Sequence, residues 1–176
     1  MTYPDLPFSH VKIRVAGLVF CGRELALIRR DRPSGALYTP PGGNVHPGED
    51  LVDALSRELA EELRLDPGDA TVPQLCWIQD QMITRPGPTP PPRKLHLIFR
   101  LHITPEVRAK LATVEYDELP DGTSEPGIIE WVDHRQAARL NLFPLIGVAV
   151  STLADPTAPP ANPYLTPMTD ATYTWR

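Results

Sequence analysis

Leu51, Leu55, Leu59 and Leu63 recur at every fourth position. No other feature restricts the possible folds as strongly. Residues four apart stand one above another on an α-helix, so Asp50 to about Leu65 predicts an amphipathic helix with one leucine stripe. A buried stripe needs a partner layer, and the flanking sequence reads as strands. "VKIRVAGLVF" (Val11–Phe20) alternates and is rich in β-branched residues, and "RELALIRR" (Arg23–Arg30) comes after Cys21-Gly22, which predicts a hairpin. Further strands are expected over Gln74–Ile83, Lys94–Ile103 and Gly127–Asp133. A short helix is expected in "PEVRAKLA", and a last helix from Pro144 to about Leu153. Strands outnumber helices, and strands lie between the two strong helices. The pattern predicts a mixed α/β or α+β sandwich.

The domain so defined runs over residues 1–153. Proline, 22 of the 176 residues, interrupts it at one place and dominates the C-terminal residues beyond it. "TRPGPTPPPR" (Thr84–Arg93) predicts a stiff surface loop, and residues 154–176 read as an irregular proline-rich tail. Tyr164, Tyr173 and Trp175 in that tail suggest an arm that packs on its own domain or on a second subunit, so a homodimer is one expectation. The formal net charge of −5 argues against a nucleic-acid polymer or an anionic membrane as partner. Cys21 and Cys76 are the only cysteines, too few for a thiolate metal site or a disulfide framework. Two free thiols fit a reducing, cytoplasmic setting. Residues 1–10 lack a basic region followed by an apolar run, so no secretory leader is expected.

Beside the leucine stripe lies an acidic one. Glu58, Glu61 and Glu62 fall at i, i+3 and i+4, where like charges repel by a few tenths of a kcal/mol per pair. Such a stripe is either a solvated helix face or a site for a hard divalent cation, whose preferred ligands are carboxylate oxygens shared with phosphates. The loop before the helix, "YTPPGGNVHPGED", sets Pro40-Pro41 against Gly42-Gly43. The prolines stiffen the approach, and the glycines admit backbone torsions and close contacts closed to other residues.

Taken together, Gly43, Glu49, Arg57-Glu58, Leu59, Glu61-Glu62 and Leu65 match the pattern G-x5-E-x7-R-E-U-x-E-E-x-G-U, where U is aliphatic. The chain thereby resembles the Nudix hydrolases of the MutT type. The one departure is Arg64, which stands where the family has the glycine that ends the helix; "LDPG" would then stop the helix two or three residues later. The resemblance implies a Nudix-type α/β/α sandwich with a mixed β-sheet. It also implies hydrolysis of the diphosphate bond in a nucleoside diphosphate linked to another group, with Mg²⁺ or alternatively Mn²⁺. By the same match, Glu58, Glu61, Glu62 and the Gly42 carbonyl are the metal ligands. Glu58 is the expected general base, and Arg57 holds the acidic cluster together with Glu49. Glu125, ahead of the strand that carries Trp131, is the candidate distal acid, either ligand or base. Glu118 and Glu130 lie nearby.

A diphosphate needs positive partners, and Arg14, Arg29, Arg30 and Arg93 are the candidates for substrate binding, since guanidinium forks match phosphate. His96, Trp77 and Phe99 read first as core residues. The proline loop is the expected specificity element. The competing reading is a non-catalytic Nudix-fold nucleotide-binding module. Such domains usually lose box carboxylates, whereas this chain keeps them.

Overall fold

The computed structural model describes Pro7, residues 9–84 and residues 93–174. All but the ends of the expected loop Thr84–Arg93 fall outside the described residues, as does Trp175. The strands are β1 (Val11–Cys21), β2 (Glu24–Arg32), β3 (Gly35–Thr39), β4 (Gly42–Asn44), β5 (Gln74–Met82), β6 (Arg93–His102), β7 (Val114–Glu118), β8 (Ser124–Asp133) and β9 (Met168–Thr169). The α-helices are α1 (Leu51–Leu63), α2 (Pro105–Arg108) and α3 (Gly147–Ser151). One sheet joins the strands in the order β7-β8-β2-β1-β6-β5-β9, with β3 on β2 and β4 on β1.

β1 is the axis of this sheet. It runs parallel to β6 from Val11↔Arg93 to Phe20↔His102, and antiparallel to β4 and β2. The sheet is therefore mixed, as the resemblance implies. The β1–β2 hairpin closes only at Phe20↔Leu25 and Cys21↔Glu24. Beyond that the two strands part, and β4 takes the place beside β1 at Arg14–Ala16. This insertion brings Gly42 and Gly43 onto the sheet.

Alternation along β1 divides the core in two. Val15 and Val19 face α1, whose Ala54, Leu55, Leu59 and Leu63 are buried against them with Leu97, Phe99 and Leu101. Leu18 and Phe20 face the other way, with Leu25, Leu27, Trp77 and Ile98, and are covered by Ala137, Leu142, Ile146 and Val150. Helical layers thus lie on both faces of the sheet.

Four strands are not expected from the sequence: β3, β4, β7 and β9. The last expected helix is also corrected. Of the stretch from Pro144 to about Leu153 only the single turn of α3 is helical, and a 3₁₀ segment, His134–Arg139, precedes it. Gly147 and the β-branched Ile146, Val148 and Val150 are poor helix formers, and Pro144 supplies no donor. Arg64 brings a further correction. The helix stops at Leu63 without waiting for "LDPG", because Arg64 itself takes the left-handed conformation (φ 58°, ψ 33°) that the missing glycine would have supplied. Its N–H bonds to Ala60 O, and Leu65 N–H bonds to Leu59 O, which closes the helix end. The tail is not irregular throughout. Pro163 O accepts from Ile78 N–H, Leu165 N–H donates to Ile78 O, and β9 pairs with β5, so the segment lines the sheet edge. Among the described residues no helix is long and apolar enough to cross a membrane.

Candidate active site

The site assembles where β4 meets α1. Gly17 N–H donates to Pro41 O, and Val45 N–H donates to Ile13 O. In an antiparallel ladder, bonded pairs alternate with unbonded ones, so Gly42, opposite Ala16, turns its amide and carbonyl away from β1. The amide donates to Glu62 Oε2 at 2.7 Å. Gly42 has no alternative residue type. Its φ is +148°, and a Cβ there would lie 2.1 Å from Val15 O. Gly43 is constrained by chemistry instead, since a Cβ would lie 2.1 Å from Glu58 Oε1. The two glycines admit the two carboxylates.

Arg57 fixes the geometry from the helix side. Its Nε and Nη2 form a fork on Glu49, at 2.8 and 3.1 Å; Nη1 donates to Glu58 Oε1 at 2.8 Å, and Nη2 also reaches Asn44 O at 3.0 Å. One guanidinium thereby ties the loop, the end of β4 and the helix together. Hydrogen bonds from Arg57 and from the His46 amide hold the Glu49 carboxyl down at about 2, and the two glutamates raise Arg57 above its usual value. Glu58 keeps Oε2 without a hydrogen bond among the described residues. Glu61 points outward, its side chain 60% exposed and 3.6 Å from Arg57 Nη1.

Glu62 is the electrostatic anomaly. Burial first, then the neighbouring Glu115 and Glu58, push its carboxyl up to about 8, against the Gly42 amide and Arg30. Among the described residues no cation lies within ion-pair distance of it. Arg14, which donates to Asn44 Oδ1 at 3.2 Å, is the cation drawn to this corner. Burial lowers its pKa, while Glu58 and Glu62 pull it back up.

The other expected residues are placed less centrally. Arg29 pairs with Glu130, to which Tyr38 also donates, and lies 3.4 Å from Asp31. Arg93 makes a fork on Asp80, with Nε 3.0 Å and Nη2 2.5 Å from its oxygens. Arg30 pairs with Glu115 and lies 3.7 Å from Glu125. Glu125 sits in β8 rather than in a loop, and Arg32 donates to it. The carboxylate that sequence reasoning missed is Glu115. It is 7% exposed, and burial raises its pKa against the pull of Arg30. "VEYDE" resembles any solvated acidic strand. The available signal is Gly127, which lies opposite Glu115 and where a Cβ would come within 2.5 Å of its Oε1.

These residues fit a divalent cation in donor chemistry. Among the described residues no three His, Cys, Asp or Glu side chains already form a metal centre. The donor set is smaller: Glu58, Glu62 and the Gly42 carbonyl outside the β1 ladder, all hard oxygens. A buried carboxylate without a cationic partner beside two others is what a bound cation would relieve.

A mixed sheet between helical layers, with an arginine-clamped glutamate helix set against a glycine strand, is the architecture of a phosphoanhydride hydrolase of the Nudix class. The sequence profile described as the NUDIX domain matches residues 11–149, and the chain belongs to that family. Nudix hydrolases generally use divalent metal ions. Solved structures agree on the fold. The MutT protein from Bacillus halodurans superposes with a TM-score of 0.54 at 17% identity, covering 80% of each chain. The ORF135 protein of E. coli gives 0.52 at 21%, covering 84% of this chain and 91% of that one. A C. elegans Ap4A hydrolase gives 0.53 at 17%, covering 80% and 93%. No curated protein sequence matches significantly.

Proposed function

We propose that this chain hydrolyses the diphosphate bond of a nucleoside diphosphate joined to another group, a nucleoside triphosphate or a nucleotide of the sugar or ADP-ribose type, with Mg²⁺ as cofactor and Mn²⁺ as substitute. One observation carries the reading: Glu58 and Glu62 converge on Gly42-Gly43, and Glu62 is buried without a cation. The fold likeness to MutT proteins and to a protein named for Ap4A hydrolysis supports the class.

A divalent ion bound there would stabilise charge on the phosphoryl oxygens. The chain's own residues do the rest. Glu62 and the Gly42 carbonyl supply oxygens at the base of the cleft. Glu58 has Oε1 held by Arg57 and presents Oε2 to a water, whose proton it accepts as the water attacks one phosphorus and the bond from that phosphorus to the bridging oxygen breaks, the oxygen leaving on the other phosphate. Arg57 orients Glu58 and does not touch substrate. Arg14 is the cation positioned to meet a phosphate, and Glu61 is an outer carboxylate. Glu125, latched to Arg32 and near Arg30, holds the β2–β8 edge; Arg29, Arg30 and Arg93 serve as structural pairs in this arrangement.

The test is a Mg²⁺-dependent hydrolysis screen across nucleoside triphosphates, ADP-ribose, nucleotide sugars and dinucleoside polyphosphates, repeated with Glu62→Gln. The variant is expected to fold and to lose roughly two or more orders of magnitude in turnover. Near-normal turnover would remove Glu62 from the site. Nucleotide binding without any hydrolysis by the unaltered protein would favour the non-catalytic module instead.

A further inference from the structure

We infer that the recess over Arg100 is a second binding site, one that takes a free phosphate ion. It lies across the sheet from α1, which carries Glu58 and Glu62, and it stands whether or not the hydrolase reading does.

Arg100 carries the argument. It is 5% exposed. Being in register with Leu18 and Gln74, it points to the sheet face that Leu18 and Ile98 share, away from α1. Its Nε and Nη2 donate to Gln74 Oε1 at 3.0 and 2.8 Å; Nη1 donates to Pro156 O at 3.1 Å and to Ala158 O. All three acceptors are uncharged. Among the described residues no carboxylate lies within ion-pair distance of the guanidinium, so a full positive charge is buried with dipoles alone around it. Such burial is costly without a partner of opposite sign. Asp155 is the acid that feels this charge, but Thr157 holds it in its own turn, with Oγ1 and N–H at 2.5 and 2.8 Å. Those bonds from Thr157 come first in lowering the Asp155 pKa, and Arg100 comes last.

The surroundings offer donors. A recess of about 240 Å³ opens over the guanidinium, lined by Thr71, Val72, Gln74, His102 and Thr157. That is below the roughly 300–1,000 Å³ of sites for larger organic ligands, and it suits a tetrahedral ion with its waters. Gln74 commits its oxygen to Arg100, which leaves Nε2 as a donor. Thr71 Oγ1 accepts from His102 N–H at 2.9 Å, so its own hydrogen is free to turn outward. The His102 ring is braced on Phe20, with centroids 5.5 Å apart; burial, then Arg100, lower its pKa. No carboxylate is among the lining residues. A guanidinium, an amide N–H and a hydroxyl round one concave surface match the acceptor oxygens of phosphate. The net charge of −5 makes this a local field set against the global one. Because Arg100 also holds the carbonyls of Pro156 and Ala158, an ion bound to it joins the start of the C-terminal segment to β5 and β6.

Val72 lines the recess from a position 88% exposed, so a charge can be placed there without disturbing the core. The test is an NMR titration of the full chain with orthophosphate, at an ionic strength held constant by sodium chloride. Val72→Glu and Val72→Lys are titrated beside the unaltered protein. Saturable shifts are expected at the amides of Thr71, Gln74, His102 and Thr157. Val72→Glu should weaken binding roughly three- to tenfold, and Val72→Lys should tighten it by a similar factor. All three proteins should melt at nearly the same temperature by circular dichroism. The proposal is overturned by the absence of saturable shifts, by equal affinities in the three proteins, or by the same shifts with sodium chloride alone. Shifts confined to residues 42–62, around the carboxylates of α1, would overturn it as well.

Discussion

Gly42 and Gly43 are neighbours in one short strand, yet the structure assigns them opposite sensitivities. At Gly42 an added methyl meets backbone, 2.1 Å from Val15 O and 2.7 Å from Ala16 Cα, and the φ of +148° is strained for any L side chain. The strain costs on the order of 1–3 kcal/mol, and the overpacking costs a similar amount, about 1–3 kcal/mol. Gly42→Ala should therefore lose about 2–6 kcal/mol of stability. For a domain of this size that is a fall of roughly 5–20 °C in melting temperature. At Gly43 the atoms nearest the methyl are those of the Glu58 carboxylate, 2.1 and 2.5 Å for its two oxygens. This is the free end of a flexible side chain, which can swing aside. The fold should lose about 1 kcal/mol or less. Glu58, however, must withdraw by about 1 Å, and a displacement of that size at the chemistry costs on the order of 10²-fold. Thermal unfolding by circular dichroism, beside kcat/KM for Mg²⁺-dependent phosphate release, separates the two effects. The reasoning is refuted if Gly43→Ala turns over like the unaltered protein, or if Gly42→Ala melts where the unaltered protein does.

Two other predictions concern the helix. Arg64 holds φ 58° at the end of α1, at a cost of about 1–2 kcal/mol for an L residue, whereas glycine costs about 0.5–1 kcal/mol in chain entropy. Arg64→Gly should gain about 0.5–1 kcal/mol, a rise of roughly 1–4 °C by calorimetry, and Arg64→Ala should not; a lower melting temperature for the glycine variant would contradict the cap geometry. Glu62 sits at about 8 against an ordinary value of 4.5. A raised carboxyl contributes stability that is fully present below its unfolded pKa and is lost as pH rises through the folded one. Metal-free protein should thus weaken between about pH 5 and pH 8, and Mg²⁺ should bind more tightly as pH rises across the same window. Glu62→Gln should flatten the stability profile, and denaturant titrations over that range that match between the two proteins would rule the assignment out.

What the sequence makes legible is what the chain keeps local. The leucine period places α1, alternation places β1, β2, β5, β6 and β8, and the Gly43-to-Leu65 pattern needs only one strand, one turn and one helix to bring Glu49, Arg57, Glu58 and Glu62 together. Partner choice across the sheet is not local. Arg29 and Arg30 carry the same charge at adjacent positions, but register sends one to Glu130 and the other to Glu115. Nothing near either arginine specifies that division. The same holds for β7 and β9, too short and too polar or proline-flanked to announce themselves, which become strands because β8 and β5 offer open edges. Proline richness in the tail reads as irregularity. Yet a proline retains its carbonyl, and Pro163 uses it to accept from Ile78 N–H, so a segment short of donors can still complete a sheet edge. Arg64 makes the point in reverse: residue preference argues against a left-handed cap, and the need to seat Leu63 and Leu65 in the core, both buried, outweighs it. Where packing fixes a position on both sides, the backbone between takes the torsion that packing requires, and the residue there bears the strain.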